Sequence, residues 1–307
     1  MTRRVAVIGA GTIGASWAAY FLARGFEVGA YDPAPNGEAF ARRFIDNAWP
    51  ALEALKAVQP GADRKRFEFS RDPAAAAKGA EFVQESGPER EDVKIELFST
   101  LDAALPPETV IATSSSGLLI SRVSAKCKHP QRCVIGHPFN PPHLIPLVEV
   151  VGGAKTSPEA VYKAMRLYRE IGKHPIHIRK EVRGHVANRL QAALWREAIH
   201  LVTEGVVSVA DVDAAIAYGP GLRWALMGPS LTFHMAGGEG GMAHFMAHIA
   251  GPMQSWMDDL GAPKLTPKTQ QAIIDGVIEE AAGRSMADLQ RWRDRKLIEI
   301  LKVSGEP

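Results

Sequence analysis

The chain is poor in cysteine. Its 307 residues hold two, Cys127 and Cys133, and neither sits in a C-x-x-C pair. Two thiols cannot build a disulfide framework, and free thiols fit a reducing compartment. Net charge is also scarce: Lys+Arg 36 against Asp+Glu 34 leaves +2. That excludes the broad basic surface demanded by nucleic acid or an anionic membrane. No run approaches the ~20 apolar residues of a membrane span. The nearest imitation is Val5–Ala23, nineteen uncharged residues behind Arg3 and Arg4. Gly9, Gly11 and Gly14 break it, so it lacks the continuous apolar core of a secretory signal. A cytoplasmic protein without nucleic-acid or membrane partners is therefore expected.

What is present is ordinary globular material: 46% hydrophobic and 23% charged residues. At ~100–200 residues per domain, two domains are expected, with enough chain to bury a core without disulfide or metal staples.

The first half alternates short apolar runs with helical periodicity. Strand-like segments are Val5–Ile8, Glu27–Tyr31, Glu81–Gln84, Val110–Thr113, Cys133–Gly136, Leu147–Val151 and Ile176–Ile178. Helical stretches include Ile13–Ala23, residues 37–66 with a break at Gln59-Pro60-Gly61, Lys94–Leu105 and Glu159–Ile171. Such alternation predicts an α/β fold with a doubly wound, mostly parallel sheet. From about Gly184 onward only helical periodicity is visible; Val186, Leu190, Leu194, Ala198 and Leu201 share one face. A second, all-α domain is expected, with residues 1–183 in the first domain and 184–307 in the second. Gly219-Pro220-Gly221 and Gly237–Gly241 read as interruptions between its helices.

One motif carries its own mechanism. Gly9-Ala-Gly11-Thr-Ile-Gly14 follows a strand and opens a helix, and Asp32 ends the next strand eighteen residues after Gly14. The glycines permit a tight turn, close approach of a pyrophosphate and close helix–strand packing. The helix N-terminus offers amides and a positive dipole end to phosphate. Asp32 suits ribose hydroxyls and repels a 2′-phosphate, and Pro33 and Ala34, not an arginine, follow it directly. The expected cofactor is NAD, in a Rossmann-type domain.

A second constellation is Ser116, His137 and Glu149, each near the end of an expected strand. A histidine oriented by a carboxylate is a general-base arrangement for an alcohol proton. Equally, the histidine caps a turn and the glutamate is an edge charge; the spacing alone does not choose. His244 and His248 stand four apart on a helix, but no third ligand accompanies them, so no metal site is expected.

In this order, G-x-G-x-x-G with a later Asp, H-P-F-N-P at 137–141, L-V-E-V-V at 147–151 and G-x-x-x-N-R-L at 184–190 resemble the 3-hydroxyacyl-CoA dehydrogenase family over nearly the whole chain. The resemblance implies an NAD-binding domain, a helical domain that dimerises, and oxidation of a 3-hydroxyl. It implies His137 as base, Glu149 as its partner, and Ser116 and Asn188 at the substrate oxygen. Gly9, Gly11, Gly14 and Asp32 match its cofactor fingerprint, and Glu89 and Lys94 match a pair beside the bound dinucleotide. It also implies a homodimer.

Family membership leaves the substrate open. Acyl-CoA members carry a long, lysine-rich helical hairpin after the second strand. Here residues 36–70 are shorter, and Arg42, Arg43, Lys56, Arg64, Lys65 and Arg66 are nearly balanced by Glu38, Asp46, Glu53, Asp63 and Glu68. Residues 46–52, 82–90, 116–119, 179–182 and 194–198 are similar to the L-carnitine-oxidising branch, and 221–225 to that branch and the L-gulonate/lambda-crystallin branch. A small free L-3-hydroxy acid, foremost L-carnitine, is expected. The alternatives are L-gulonate, 3-hydroxybutyryl-CoA, or a crystallin-like structural role. At ~100° per residue, Trp195 shares a helix face with Asn188. It either lines the pocket, where an aromatic face holds a quaternary ammonium, or packs in the helical core. Trp224, Phe233 and Arg223 are further candidates for substrate contact.

Overall fold

A computed structural model describes residues 3–304. The chain forms two compact units, Met1–Asn188 and Arg189–Pro307. The division falls a few residues beyond the expected 183, because the segment up to Asn188 is hydrogen-bonded into the first unit through Glu149.

The first unit is built on eight strands: β1 Arg4–Ile8, β2 Glu27–Tyr31, β3 Phe67–Ser70, β4 Phe82–Glu85, β5 Val110–Thr113, β6 Cys133–Pro138, β7 Leu147–Gly152 and β8 His174–Ile178. Their order is β3-β2-β1-β4-β5-β6-β7-β8. Pairing is parallel except between β6 and β7. Six helices accompany them: α1 Thr12–Ala23, α2 Gly37–Ala54, α3 Pro73–Ala77, α4 Glu91–Ala104, α5 Ile120–Val123 and α6 Pro158–Glu170. This is the doubly wound α/β fold. Its central strands are mostly apolar because both faces are covered. Along β1, Val5 and Val7 join the core containing Trp17, Phe21 and Tyr168, while Ala6 and Ile8 join the core containing Phe98, Leu101 and Ile120.

Three departures from the sequence pattern matter. Residues 55–66 are not a continuation of the helix: α2 ends at Ala54, and Lys56 takes φ +55. A three-residue 3-10 turn, Arg64–Arg66, leads into β3. β3 itself was invisible, being four residues, F-E-F-S, too short to show a period. Residues 73–77, given no element by the sequence pattern, form α3, started by Asp72 accepting from the amides of Ala74 and Ala75 and by Pro73 at the first position.

The second unit follows from α7, Ala187–Thr203, with α8 Val209–Ala217, α9 Pro220–Trp224, α10 Pro229–Ala236, α11 Gly241–Asp259, α12 Pro267–Ala281 and α13 Met286–Val303. Ser208, Thr266 and Ser285 cap α8, α12 and α13 with their side chains. α9 begins inside Gly219-Pro220-Gly221, which reads as an interruption, and α9 and α10 each open with a proline in the first turn. Among the described residues this unit buries two apolar side chains, Ile199 and Val209. No helix of the described residues is long and apolar enough to cross a membrane.

Candidate active site

The glycine turn is shaped for a ligand. Gly9 has φ +96, and a Cβ there would lie 2.6 Å from the Gly87 nitrogen. A Cβ on Gly14 would stand 1.8 Å from the Gly9 oxygen, so helix and turn touch. A Cβ on Gly11 would meet nothing within 4 Å: that space is open. α1 begins at this point with no side-chain cap and no acid in its first turn. Its leading amides are therefore free for an anion, which fits a dinucleotide pyrophosphate. Asp32 ends β2; its Oδ2 accepts from the Ala10 amide at 2.8 Å and its Oδ1 from the Ala34 amide at 2.8 Å. The carboxylate expected at the ribose also holds the turn.

At the end of β4, Glu85 is fully buried. Its oxygens accept from the Lys94 ammonium at 2.8 and 2.7 Å, from the Gly87 amide at 2.6 Å and from the Thr113 hydroxyl at 2.5 Å. Lys94, expected beside the cofactor, is 1% exposed with its charge held in this pair. Its remaining contact is the Gly87 carbonyl, on the loop packed against Gly9. Glu89 sits where the chain enters α4, and its Oε1 accepts from the Ser115 hydroxyl at 2.7 Å and the Gly117 amide at 2.9 Å. Ser116 lies between those two anchors, exposed.

His137 lies within β6 rather than after it, because it pairs directly across to Glu149 on antiparallel β7. Its Nδ1 is 2.8 Å from Glu149 Oε2. Glu149 is fully buried, and its other oxygen accepts from the amides of Val186 and Ala187 at 2.8 and 2.9 Å. Burial alone would raise this carboxyl, but the hydrogen bonds from His137 and the two amides outweigh it and hold it below the usual carboxylate range. A carboxylate in that place orients the imidazole and stabilises it when charged. Asn188 follows immediately, half-buried at the start of α7. The structure thus brings His137 and Glu149 into contact and pins both sides of Ser116.

Two neighbours were missed from sequence. One is Glu85, whose signal was an acid closing a short strand, F-V-Q-E. The other is His185, whose ring centre stands 5.1 Å from that of His137. Its Nε2 donates to the Ser115 carbonyl at 2.9 Å, and burial lowers its pKa, favouring the neutral ring. Nothing in its spacing announced it.

The proposed substrate contacts all lie in the helical unit. Trp195 is 54% exposed in the single chain. Trp224 and Arg223 are exposed. Phe233 stacks on Phe245 with ring centres 4.8 Å apart. Among the described residues no group of His, Cys, Asp or Glu is placed to hold a metal ion.

Residues 4–182 match the domain described as "3-hydroxyacyl-CoA dehydrogenase, NAD binding domain", and 184–287 the corresponding C-terminal domain. The chain belongs to the 3-hydroxyacyl-CoA dehydrogenase family. It is similar to the L-carnitine dehydrogenase of Streptomyces griseus, 51% identical over 99% of this chain and 90% of that one. It is 47% identical to the L-carnitine dehydrogenase of Pseudomonas aeruginosa, over 98% of this chain and 94% of that one. Among solved structures, it resembles 5-formyl-3-hydroxy-2-methylpyridine 4-carboxylic acid 5-dehydrogenase, an NAD-dependent dismutase. That likeness has TM-score 0.85 and 32% identity and covers 100% of both chains. Like its family, the chain is an NAD-dependent dehydrogenase.

Proposed function

We propose that this dehydrogenase oxidises the 3-hydroxyl of L-carnitine to the 3-keto acid with NAD. The carrying observation is the His137–Glu149 pair, fixed across two strands, in a chain half identical to L-carnitine dehydrogenases. His137, its Nδ1 committed to Glu149, takes the hydroxyl proton at Nε2. Glu149 stabilises the resulting imidazolium, and the Val186 and Ala187 amides keep the carboxylate from swinging away. Ser116 and Asn188 hold the substrate oxygen. The glycine turn, the α1 amides and Asp32 bind NAD, with Glu89 and the Glu85–Lys94 pair shaping the adjoining loops. Bound NAD supplies the acceptor for the hydride leaving the substrate carbon.

Trp195, with Trp224 and Phe233, offers aromatic surface to the trimethylammonium, and Arg223 offers a donor to the carboxylate. A free acid rather than a CoA ester is supported by the single helix α2, which stands where acyl-CoA members carry a hairpin. The protein acts in the cytoplasm and forms a homodimer through its helical unit. That assembly is supported by the many apolar side chains the unit leaves exposed, among them Leu190, Trp256, Ile278 and Trp292.

NADH formation on L-carnitine, L-gulonate, L-3-hydroxybutyrate and 3-hydroxybutyryl-CoA tests the reading. L-carnitine with NAD is expected to give the highest kcat/KM. Turnover confined to the CoA ester would overturn it.

A further inference from the structure

The cofactor preference read from sequence rested on Asp32 and on the absence of an arginine directly behind it. The fold supplies an arginine from elsewhere. Strands β2 and β3 are parallel neighbours, with Tyr31 opposite Ser70. The next residues, Asp32 and Arg71, therefore leave the same edge of the sheet side by side. The Arg71 guanidinium reaches over the segment that follows Asp32, donating to the Pro35 carbonyl at 2.8 Å and the Ala34 carbonyl at 3.3 Å. The Ala34 amide in turn donates to Asp32 Oδ1. One loop is thus gripped by the carboxylate through its amide and by the guanidinium through its carbonyls.

Arg71 is exposed, and among the described residues no carboxylate forms an ion pair with it. Two carbonyls use only part of its five-donor fork, and neither neutralises its charge. An unpaired guanidinium beside the ribose-binding acid is the arrangement that accommodates a 2′-phosphate in NADP-dependent sheets of this type. Phosphate prefers such a planar, bidentate donor. Here the acid stands in front of it.

We infer that Arg71 is a latent 2′-phosphate ligand, so that this chain's choice of NAD rests on the single carboxylate of Asp32. The inference depends on the glycine turn and Asp32 being the NAD site. With Asp32 ionised, an incoming 2′-phosphate meets a negative charge at close range and loses a hydrogen-bond acceptor for the ribose. With that charge removed, Arg71 is already held over the same loop, needing no backbone movement to be in reach.

The test is calorimetric binding to the full-length protein, using NAD, NADP, AMP and adenosine 2′-phosphate as probes. Wild type is expected to bind NAD well and NADP poorly. Asp32→Asn keeps the side-chain oxygen and removes the charge. It is expected to tighten NADP and adenosine 2′-phosphate by about ten- to a hundredfold, while NAD and AMP weaken because their ribose hydroxyls lose a charged acceptor. Adding Arg71→Ala to Asp32→Asn is expected to abolish that gain. If the double variant binds NADP as tightly as Asp32→Asn, or if Asp32→Asn gains nothing, Arg71 is not a phosphate ligand and the inference falls. Asp32→Ser repeats the comparison if circular dichroism shows the asparagine variant unfolded, since Asp32 also holds the Ala10 amide. A wild-type protein that binds neither NAD nor AMP would instead overturn the underlying assignment of the cofactor site.

Discussion

The two units treat their apolar residues in opposite ways. The sheet unit encloses them: Trp17, Phe21, Leu22, Phe98, Leu101 and Ile111 are fully buried, and even polar groups such as Glu85, Lys94 and Glu149 are taken inside in hydrogen-bonded pairs. The helical unit exposes them: Leu190, Leu194, Trp195, Leu222, Met246, Trp256, Ile278 and Trp292 are all more than a third exposed. A unit that buries only Ile199 and Val209 among its described apolar residues does not complete its own core. The lesson is a division of labour. The sheet unit buries its apolar side chains within one chain, whereas the helical unit leaves most of its own exposed.

The comparison can be broken at several points. His137→Ala removes the base from the sheet unit and is expected to lower kcat by about 10²–10⁴, read as NADH formation, with the fold retained by circular dichroism. Near-normal turnover would detach the chemistry from this unit. Lys94→Met leaves the buried Glu85 charge without its partner and is expected to cost about 3–5 kcal/mol, measured by urea unfolding of the sheet unit. A loss below about 1 kcal/mol would show that the pair is reached by water.

For the helical unit, the decisive variable is concentration. If it is covered by a second copy, each tenfold dilution weakens it by about 1.4 kcal/mol, seen as a falling melting temperature and a change of mass in light scattering. A melting point independent of dilution, with monomer mass, would remove the contrast. Trp195→Ala sharpens it in another way: KM for L-carnitine is expected to rise about fivefold to thirtyfold, the worth of one desolvated cation–π contact. An uncharged 3-hydroxy acid should feel little of this. Equal losses on both substrates would make Trp195 a structural residue.

The smallest effect concerns acid. Glu149 in the folded chain sits below the range of an unfolded glutamate, ~4.3. The stability it contributes is therefore complete above that value and is lost as pH falls through the folded one. Glu149→Gln should flatten this part of the acid-unfolding profile while the helical unit's profile is unchanged.

Much of the sheet unit was legible because its signals are local. Val5–Ile8, the glycine turn and Asp32 lie within one strand–helix–strand unit; Gly9 and Gly14 each answer a close contact, and Gly11 borders open space. β3 was not legible, since four residues with two phenylalanines carry no period of their own and depend on pairing with β2. The same gap hid Arg71, which comes near Asp32 only through that pairing. His137 and Glu149 were legible as partners only through the family resemblance, because twelve residues of sequence say nothing of register. His185 was illegible for a related reason: its contacts are with Ser115 and His137, both distant in sequence. In the helical unit, α9 and α10 were masked by glycine and proline, residues that mark a helix start as readily as a break.

The antiparallel pairing of β6 and β7 makes the enzyme's chemistry a matter of parity. His137 faces Glu149 because both occupy matching positions in an alternating pattern, with Gly136 opposite Val150 and Pro138 opposite Val148. Length changes in the connection at 139–146 leave that alternation alone, though they disturb a buried loop that bonds Ser16 through His143. A single residue added to or removed from either strand turns the imidazole to the other face of the sheet. There it would meet Tyr168, whose hydroxyl stands 2.0 Å from where even a Cβ on Gly136 would be. Insertions in this hairpin therefore differ by position: between the strands they disturb a buried loop, and within them they also break the His137–Glu149 register.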